Sequence, residues 1–428
     1  MEIKELHQLY LESSGIATDT RKIAPKTLFF ALKGDNFNGN AFASQALEAG
    51  ANYVIIDEEG FLVGQKTILV KNALETLQQL ASFHRKYLKT PIIALTGSNG
   101  KTTTKELINA VLSQKFKTIA TAGNLNNHIG VPLTLLKLKE ETEIGIIEMG
   151  ANHPGEIAAL AQIADPDYGY ITNFGKAHLE GFGSEEGVIK AKSELYDYLR
   201  QKEALVFINS DDPKQIKQVK GNKTYSFGHG EDSDFAVAYL PSDPYAGIKI
   251  NQLNIKSNLI GSYNATNIAA AAAIGKYFEV SEQQIKEAII NYIPANNRSQ
   301  IIKKGSKTII LDAYNANPTS MEAALKNFKD YKAESKTVIL GDMFELGETA
   351  NIEHTTIANL AISMNFDKLI LLGKNFRKVV VKSEKVWQMD DFEAFKAALE
   401  NFSFSIKEES FLIKGSRGMA LERIIDIL

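Results

Sequence analysis

The sequence contains no cysteine, which excludes disulfide bonds, thiolate metal sites and a cysteine nucleophile. A large excess of either charge is also absent, since 48 basic and 51 acidic residues leave a formal net charge of −3, and we therefore predict no nucleic-acid partner. No apolar run approaches the ~18 residues of a membrane span. The first residues, MEIKELHQLYLESSG, have the pattern of a charged amphipathic helix rather than a signal peptide. We expect a cytoplasmic protein.

The length of 428 residues is too great for one ordinary core and predicts two or three domains. A small first α/β domain is predicted over 1–83, where short strands such as TLFFAL and YVIID surround the helix NAFASQALEAGA. The stretch HRKYLKT, residues 84–90, is polar and basic and ends at Pro91, so we interpret it as a linker.

A second domain is predicted over 84–296, because strands such as PIIALT and IGIIEM alternate with helices, which is typical of a mostly parallel sheet covered by helices. Residues 224–256 alternate more like strands and suggest an antiparallel extension. Residues 293–300, IPANNRSQ, are interpreted as a second linker. Over 297–428, four apolar strands separated by helical stretches predict a C-terminal, Rossmann-like α/β domain: KTIILDAY, KTVILGD, KLILLGK and ESFLIKGS.

The segment TGSNGKTTTKEL, residues 96–107, follows an apolar strand and opens a helix. In a phosphate loop, backbone N–H groups at a helix N-terminus hold phosphate oxygens, a lysine adds positive charge and the next hydroxyl binds Mg²⁺. Lys101 and Thr102 have these positions. The usual pattern, however, has glycine five positions before Gly100, where this sequence has Leu95.

The alternative for this segment is an ordinary helix start, capped by Ser98 or Asn99, with Lys101 in solvent. We favour the phosphate loop because the strand, the loop and the helix occur in the required order.

Two further residues follow predicted strands at the edge where α/β sheets bind ligands. Glu148 ends the strand IGIIE, and a carboxylate there is costly unless a cation accompanies it, which indicates a metal ligand. The alternative is a surface glutamate paired with a lysine. His178 lies in the glycine-rich stretch TNFGKAHLEGFGS, and a lone histidine is more often a packed residue than a ligand.

The predicted helix EEGVIKAKSELYDYLR has two lysines on different faces. Residues three and four apart share a helix face, and for Lys192 these neighbours are Val188, Ile189, Leu195 and Tyr196. Lys190 faces polar neighbours instead. Burial favours the neutral amine, and a neutral amine can react with CO₂ to give a carbamate. The alternative is a lysine that extends along its stem into water.

Several motifs together resemble the Mur ligases, the ATP-dependent amide-forming enzymes of peptidoglycan precursor synthesis. They are TGSNGKTTTKEL, TAGNLNNHIGVPLTLL, IIEMGANHPGEI, TNFGKAHLEGFGS and AKSELY. This family has a short phosphate loop with glycine at the position of Gly97, which explains Leu95 as part of the strand. The resemblance spans nearly the whole chain and implies a UDP-sugar domain, a central ATPase domain and a C-terminal domain that binds the incoming substrate.

The resemblance implies ATP and two Mg²⁺ ions as cofactors. The phosphates are assigned to Gly97, Ser98, Asn99, Gly100, Lys101, Thr102 and Thr103, with Arg298 reaching them, Asn267 near adenine and Asp312 at the ribose. The metal ligands are Thr102 and Glu148 for one ion, and His178 and carbamylated Lys192 for the other. Lys101, Lys192 and His178 are the predicted catalytic residues.

Within the family, DAYNANPTSM, LGDMFELGE and KGSRGMALE resemble the member that joins D-alanyl-D-alanine to the UDP-N-acetylmuramoyl tripeptide through an acyl phosphate. The candidate residues for the UDP-muramoyl substrate are Thr20, Asn126 and Asn127. Those for the dipeptide are Asn315, Asn317, Ser416 and Arg417, with Arg417 on its carboxylate. The family usually has Ser at Thr20, Gly at Lys26 and Asp-Gly-His at 38–40, so the first domain departs from its pattern.

Two other functions share part of this pattern. A folylpolyglutamate synthetase has the short loop and the same chemistry, but the YNANP stretch argues against it. A nucleotide-dependent switch would need neither a lysine on an apolar helix face nor a second α/β domain. The third residue of the tripeptide, diaminopimelate or lysine, and the base that deprotonates the amine are left open. We predict a monomer.

Overall fold

A computed structural model describes residues 1–294, 298–401 and 409–428. The N-terminal elements are α1 Ile3–Leu11, β1 Ile16–Ala17, β2 Leu28–Phe30, β3 Lys33–Gly34, β4 Phe37–Asn38, α2 Ala43–Glu48, β5 Tyr53–Ile56, β6 Thr67–Leu69 and α3 Ala73–Leu88. Strands pair in parallel in the order β1-β2-β5-β6, and β3 and β4 form a small antiparallel hairpin. The predicted amphipathic first helix is confirmed, since Leu6, His7 and Tyr10 are its buried face.

The linker predicted over 84–90 is wrong, because helix α3 continues through it to Leu88. His84 and Arg85 are buried and extend the apolar face made by Leu77 and Leu80. The sequence predicts a loop because these residues are polar. His84 and Arg85 are buried because their positions continue the inward face of the helix. The ring of His84 bonds the Leu138 carbonyl at 2.9 Å, so α3 joins the first unit to the second.

The central elements surround a parallel sheet. They are β7 Ile92–Thr96, α4 Lys101–Leu112, β8 Thr118–Ala120, α5 Gly130–Leu135, β9 Ile144–Glu148, α6 Glu156–Ala164, β10 Tyr168–Ile171, α7 Leu179–Phe182, α8 Glu185–Gln201, β11 Leu205–Asn209, α9 Pro213–Gln218, β12 Lys223–Gly228, β13 Phe235–Ala236, β14 Ala238–Leu240, β15 Tyr245–Ile250, β16 Leu253–Ile260, α10 Tyr263–Tyr277 and α11 Glu282–Asn291. The strand order is β13-β12-β11-β10-β7-β9-β8, and β7 lies inside the sheet.

The antiparallel extension predicted over 224–256 is correct only for its second part. Strands β14, β15 and β16 form an antiparallel sheet, whereas β12 and β13 extend the parallel sheet. Alternation on an edge strand looks the same in both cases, because one face of such a strand is exposed.

The C-terminal elements form a second doubly wound sheet. They are β17 Gln300–Lys304, β18 Lys307–Asp312, α12 Pro318–Asp330, β19 Lys336–Gly341, α13 Ala350–Ser363, β20 Lys368–Leu372, α14 Lys374–Arg377, β21 Val386–Met389, α15 Phe392–Glu400, β22 Ser410–Lys414 and α16 Ile424–Ile427. The order is β17-β18-β22-β19-β20-β21, with β17 antiparallel at one edge. The four predicted strands are β18, β19, β20 and β22, and the α/β, three-domain fold class is confirmed.

The predicted domain limits, 1–83, 84–296 and 297–428, stay predictions. The first limit falls inside α3. The second falls at residues 296 and 297, and this limit and the middle of the linker predicted over 293–300 lie outside the described residues. Among the residues that the structure describes, no helix has the length and apolar character to cross a membrane.

Candidate active site

The loop between β7 and α4 has the backbone of an anion-binding turn. Gly97 has a φ of +142° and Gly100 a φ of +79°, both in the region that favours glycine. A Cβ on Gly97 would lie 2.0 Å from the Thr172 hydroxyl, and one on Gly100 would lie 2.8 Å from the side-chain oxygen of Asn267. Both positions therefore require glycine for space as well as for conformation.

The alternative of a helix capped by Ser98 or Asn99 is wrong. The residue before the helix is Gly100, and no side chain caps its first turn. The Ser98 hydroxyl donates to the Gly175 carbonyl at 2.8 Å instead, and the Asn99 N–H donates to the side chain of Asn173 at 3.1 Å. The first N–H groups of α4 are thus available to an anion, and the helix dipole favours one there.

Lys101 lies at this loop in an electropositive setting. Its Nζ donates to the Gly97 carbonyl at 2.7 Å, so the ammonium is held over the loop. Burial lowers the pKa of Lys101, the Glu148 carboxylate opposes this shift, and the Arg298 guanidinium adds to it. An anion between Lys101 and Arg298 would relieve their mutual repulsion, which supports a phosphate position between them.

Glu148 is buried at the end of β9 with only 1% of its surface exposed, so the surface ion pair considered from the sequence is wrong. Its Oε1 accepts from the Thr102 hydroxyl at 3.2 Å and from the Asn126 amide at 2.8 Å. Its Oε2 is buried and has no hydrogen-bond partner among the described residues. A buried carboxylate oxygen without a donor, beside a threonine hydroxyl, fits a bound Mg²⁺.

Lys192 is fully buried on α8, whereas Lys190 is exposed, as predicted. The alternative of a lysine that extends into water is therefore wrong. The Nζ of Lys192 donates to the Ala151 carbonyl at 3.1 Å and lies 5.1 Å from the centre of the Phe182 ring. Burial sets the pKa of Lys192 well below its usual range, and the charge of Lys101 lowers it further. The side chains of Lys101 and Lys192 are thus close enough for the charge of one to affect the other.

His178 connects the central unit to the C-terminal one. Its Nδ1 lies 2.5 Å from the Glu345 carboxylate, and its ring meets the Phe182 ring edge-on at 6.4 Å. The neighbouring His178 imidazole lowers the pKa of Glu345. His178 and Lys192 therefore both lie next to the Phe182 ring.

One cavity of about 850 Å³ brings most of the predicted residues together. Its lining includes Ser98, Asn99, Gly100, Lys101, Thr102, Thr103, Asn126, Asn127, Glu148, His178, Asn267, Arg298, Asp312, Asn315, Asn317, Ser416 and Arg417. Gly97 and Lys192 do not line the cavity, but each bonds a residue that does: Gly97 bonds Lys101, and Lys192 bonds Ala151. Thr20 lies in a 3₁₀ turn of the N-terminal unit and does not line the cavity.

On one side of the cavity, Arg298 is 3.6 Å from the centre of the Tyr314 ring, and its buried Nε has no partner among the described residues. Asp312 pairs with Lys414 at 2.5 Å, and its other oxygen accepts from the Ser299 N–H at 3.2 Å. The free guanidinium nitrogen and the acidic residue suit a nucleotide with phosphates and a ribose.

On the other side, Ser416 is buried and accepts from the Phe344 N–H at 2.9 Å. Arg417 pairs with Glu422 at 2.6 Å. The Asn317 amide donates to the Asn99 side chain at 2.7 Å, which links the C-terminal unit directly to the phosphate loop.

The site residues that the sequence analysis did not identify include Asn173, Glu345 and Lys414. Asn173 bonds both the N–H and the carbonyl of Asn99. Lys414, the last residue of β22, lies opposite Asp312, the last residue of β18. The signal for Lys414 in the sequence was therefore a charged residue at the end of an apolar strand, as at Asp312. The partner of Glu345 is 167 positions away in sequence, and no local pattern indicates it.

A ready-made acidic metal cluster is absent from residues 1–294, 298–401 and 409–428, where no three His, Asp or Glu side chains are grouped to hold an ion. Any metal here depends on Thr102, Glu148 and oxygens that a ligand or a modified side chain supplies.

The family models match the three units: "Mur ligase family, catalytic domain" over 12–85, "Mur ligase middle domain" over 95–275 and "Mur ligase, glutamate ligase domain" over 297–417. A Bacillus subtilis (strain 168) protein named UDP-N-acetylmuramoyl-tripeptide--D-alanyl-D-alanine ligase is 36% identical over 425 residues, 96% of this chain and 92% of the relative. A crystal structure of MurF from Acinetobacter baumannii is similar with a TM-score of 0.87 and 29% identity, over 98% of this chain and 97% of that one. MurF ligase from Thermotoga maritima in complex with ADP has a TM-score of 0.84 and 26% identity, over the same shares.

Proposed function

Because this chain belongs to the Mur ligase family, we propose that it joins D-alanyl-D-alanine to the UDP-N-acetylmuramoyl tripeptide in peptidoglycan precursor synthesis, with ATP converted to ADP and phosphate. The names of its relatives support this activity. The observation that carries it is the single cavity in which the phosphate loop meets the C-terminal unit through Asn99 and Asn317.

ATP binds with its phosphates on the loop Gly97–Thr103, where Lys101 and Arg298 offset their charge. Asn267 and Asp312 serve the adenine and the ribose. A related MurF ligase in complex with ADP supports nucleotide binding in this fold. The orphaned buried nitrogen of Arg298 and the uncapped first turn of α4 fit this ligand.

Thr102 and Glu148 would hold one Mg²⁺, which fits the buried Glu148 oxygen that has no donor. Mg²⁺ supplies electrostatic shielding between the anionic phosphates and the substrate carboxylate. His178 and Lys192 would hold the second ion. For Lys192 this requires the carbamate, because an ammonium repels a cation whereas a carbamate offers oxygen. Its deep burial supports a neutral amine that can react with CO₂.

The chemistry proceeds in two steps. The terminal carboxylate of the tripeptide attacks the γ-phosphorus of ATP, the bond to the β-phosphate oxygen breaks, and an acyl phosphate and ADP form. The dipeptide amine then attacks the acyl carbon, loses a proton and expels phosphate, which leaves the new amide. Lys101 stabilises the charge that develops during phosphoryl transfer. Contacts between the C-terminal unit and the phosphate loop exclude the water that would hydrolyse the acyl phosphate.

Arg417 is proposed to bind the dipeptide carboxylate, with Asn315, Asn317 and Ser416 around the peptide. Asn126 and Asn127 face the muramoyl peptide. Thr20 is proposed for its UDP end. The cytoplasmic location and the monomeric state stay predictions.

The proposal is tested by supplying ATP and Mg²⁺ with the tripeptide and the dipeptide, together and singly, and by following ADP release and product mass. We expect sustained ADP release and a pentapeptide product only with both acceptors. Tripeptides that end in diaminopimelate or lysine, compared in parallel, identify the natural third residue. Steady ATP hydrolysis without amide formation would contradict the proposed function and favour a nucleotide-dependent switch.

A further inference from the structure

The segment that follows β19 and runs to the first residue of α13, residues 342–350, forms part of the cavity wall. Phe344 and Glu345 both line the cavity. The Phe344 N–H donates to the Ser416 hydroxyl, and the Glu345 carboxylate contacts His178. This wall segment therefore lies between the proposed dipeptide side of the cavity and the loop of the central unit.

His354, on the first turns of α13, is fully buried behind the wall segment and bonds both of its ends. Its Nε2 accepts from the Met343 N–H at 3.0 Å, and its Nδ1 lies 2.6 Å from the Ala350 carbonyl. A backbone N–H can only donate and a carbonyl can only accept. The ring is therefore neutral, with its hydrogen on Nδ1.

The surroundings of His354 favour this neutral form. Burial lowers its pKa, against the Ala350 carbonyl and the charges of Asp342 and Glu353. The Asp342 carboxylate, 3.6 Å from Nε2, accepts from the N–H groups of Asn375 and Phe376 at 2.9 Å each. The Phe376 ring closes the pocket edge-on, with ring centres 4.7 Å apart.

We propose that His354 is a positioning residue: by accepting the Met343 N–H it fixes the wall segment so that Phe344 and Glu345 shape the binding site of the amine substrate. It does not touch that substrate. Met343 directly precedes Phe344, whose N–H bonds Ser416. Loss of the bond between Met343 and His354 therefore lets Phe344 move. The identity of the amine substrate rests on the function proposed above.

Two conservative variants separate the two bonds of the ring. His354→Gln puts an amide oxygen near the position of Nε2 and keeps an acceptor for Met343. His354→Asn puts an amide nitrogen near the position of Nδ1 and keeps only the donor to Ala350. The two side chains have the same chemistry, so they differ mainly in which end of the wall segment they hold.

The test compares the steady-state constants of both variants with those of the unmodified protein, and the native-state hydrogen exchange of the Met343 and Phe344 amides. We expect His354→Asn to raise the KM for D-alanyl-D-alanine about tenfold, the loss of one hydrogen bond, with the KM for ATP unchanged. Exchange of the Met343 amide should become faster. His354→Gln should keep both quantities within about threefold of the unmodified protein.

Equal KM values for the dipeptide in the two variants, or a parallel rise in the KM for ATP, would overturn the proposal. Hydrogen exchange needs no ligation, so it tests the bond even if the proposed function fails. If His354→Asn does not fold, the Met343 amide is measured in the unmodified protein and in His354→Gln. Rapid exchange in the unmodified protein would overturn the proposal, and slow exchange in both proteins would support it.

Discussion

The central unit has two interfaces, and they are built differently. Towards the N-terminal unit, α3 packs on α5 and α6, and buried side chains join the two. Arg85, whose side chain is 5% exposed, pairs with Asp167 at 2.6 Å, and Tyr10 donates to the Leu136 carbonyl. Towards the C-terminal unit, each ion pair we identify has one exposed and one more buried partner. Lys176, 44% exposed, pairs with Glu353, 9% exposed, at 2.8 Å, and Glu345, 48% exposed, lies beside His178, 17% exposed.

This difference separates a permanent contact from a reversible one. The packing of α3 on α5 and α6 is costly to break, because it buries apolar side chains, whereas ion pairs with an exposed partner contribute little. The cavity is lined by residues of the central and C-terminal units, and we expect the interface between them to open for substrates and close against water. The continuous helix α3 also removes the linker that would have let the N-terminal unit move independently.

The largest effect is expected at the site itself. Lys192→Ala should lower the ligation rate on the order of 10³-fold, because the negative charge that holds a metal is lost. Stability should change little, because the removal of a buried polar group offsets the packing that is lost with its stem. Acetate should restore part of the rate by occupying the vacated space, and Lys190→Ala should be nearly neutral. Equal losses in the two variants, measured under the same conditions, would contradict the assignment.

The first interface is tested by Arg85→Ala. We expect the free energy of unfolding to fall by about 2 kcal/mol, because α3 loses the packing and the hydrogen bonds of a buried guanidinium, while Asp167, 35% exposed, keeps Lys202 as a partner. Urea denaturation monitored by circular dichroism measures this change. Lys86→Ala, at an exposed neighbouring position on the same helix, is the control and should change stability by less than about 0.5 kcal/mol. A similar small effect for Arg85→Ala would mean that this interface is no stronger than the second.

The first interface should also respond to acid. Burial and the neighbouring His84 lower the pKa of His7 to about 4, and the two rings are bonded at 3.0 Å. The unfolded chain binds this proton near pH 6.5, whereas the folded protein binds it only near pH 4. The folded protein therefore keeps its full stability above pH 6.5 and loses part of it as the pH falls towards 4.

Urea denaturation at several pH values in this window measures that slope. His7→Asn should reduce it, and the same change at the exposed His153 should leave it as it is. An unchanged slope in His7→Asn would show that the pair does not control the acid response of this interface.

The smallest stability effect is expected at the second interface. Lys176→Ala removes a half-exposed ion pair and should change the free energy of unfolding by less than about 1 kcal/mol. The KM for the dipeptide should nevertheless rise severalfold, because docking of the C-terminal unit is weakened. If Lys176→Ala lowers the free energy of unfolding as much as Arg85→Ala does, the proposed difference in strength between the two interfaces is contradicted.

The sequence predicted what depends on local pattern. The phosphate loop follows from a strand, a glycine turn and a helix in succession, and the burial of Lys192 follows from neighbours three and four residues away. The metal, nucleotide and dipeptide roles came from the resemblance to a family. The pairing of Glu345 with His178 could not be predicted, because it depends on how two units pack. The pairing of Lys414 with Asp312 depends on which strands are neighbours in the sheet, and the charged end of each strand was its only signal in the sequence.

The most direct test measures the movement of both interfaces in one protein. Since the chain has no native cysteine, spin labels can be attached at exposed positions through engineered pairs, Gln45→Cys with Lys217→Cys and Lys217→Cys with Ala394→Cys. Electron–electron double resonance then gives the two distance distributions, with and without tripeptide and a non-hydrolysable ATP analogue. We predict that the 45–217 distance stays constant, whereas the 217–394 distribution narrows when both ligands bind. A shift of the 45–217 distance, or an unresponsive 217–394 distance, would contradict the account.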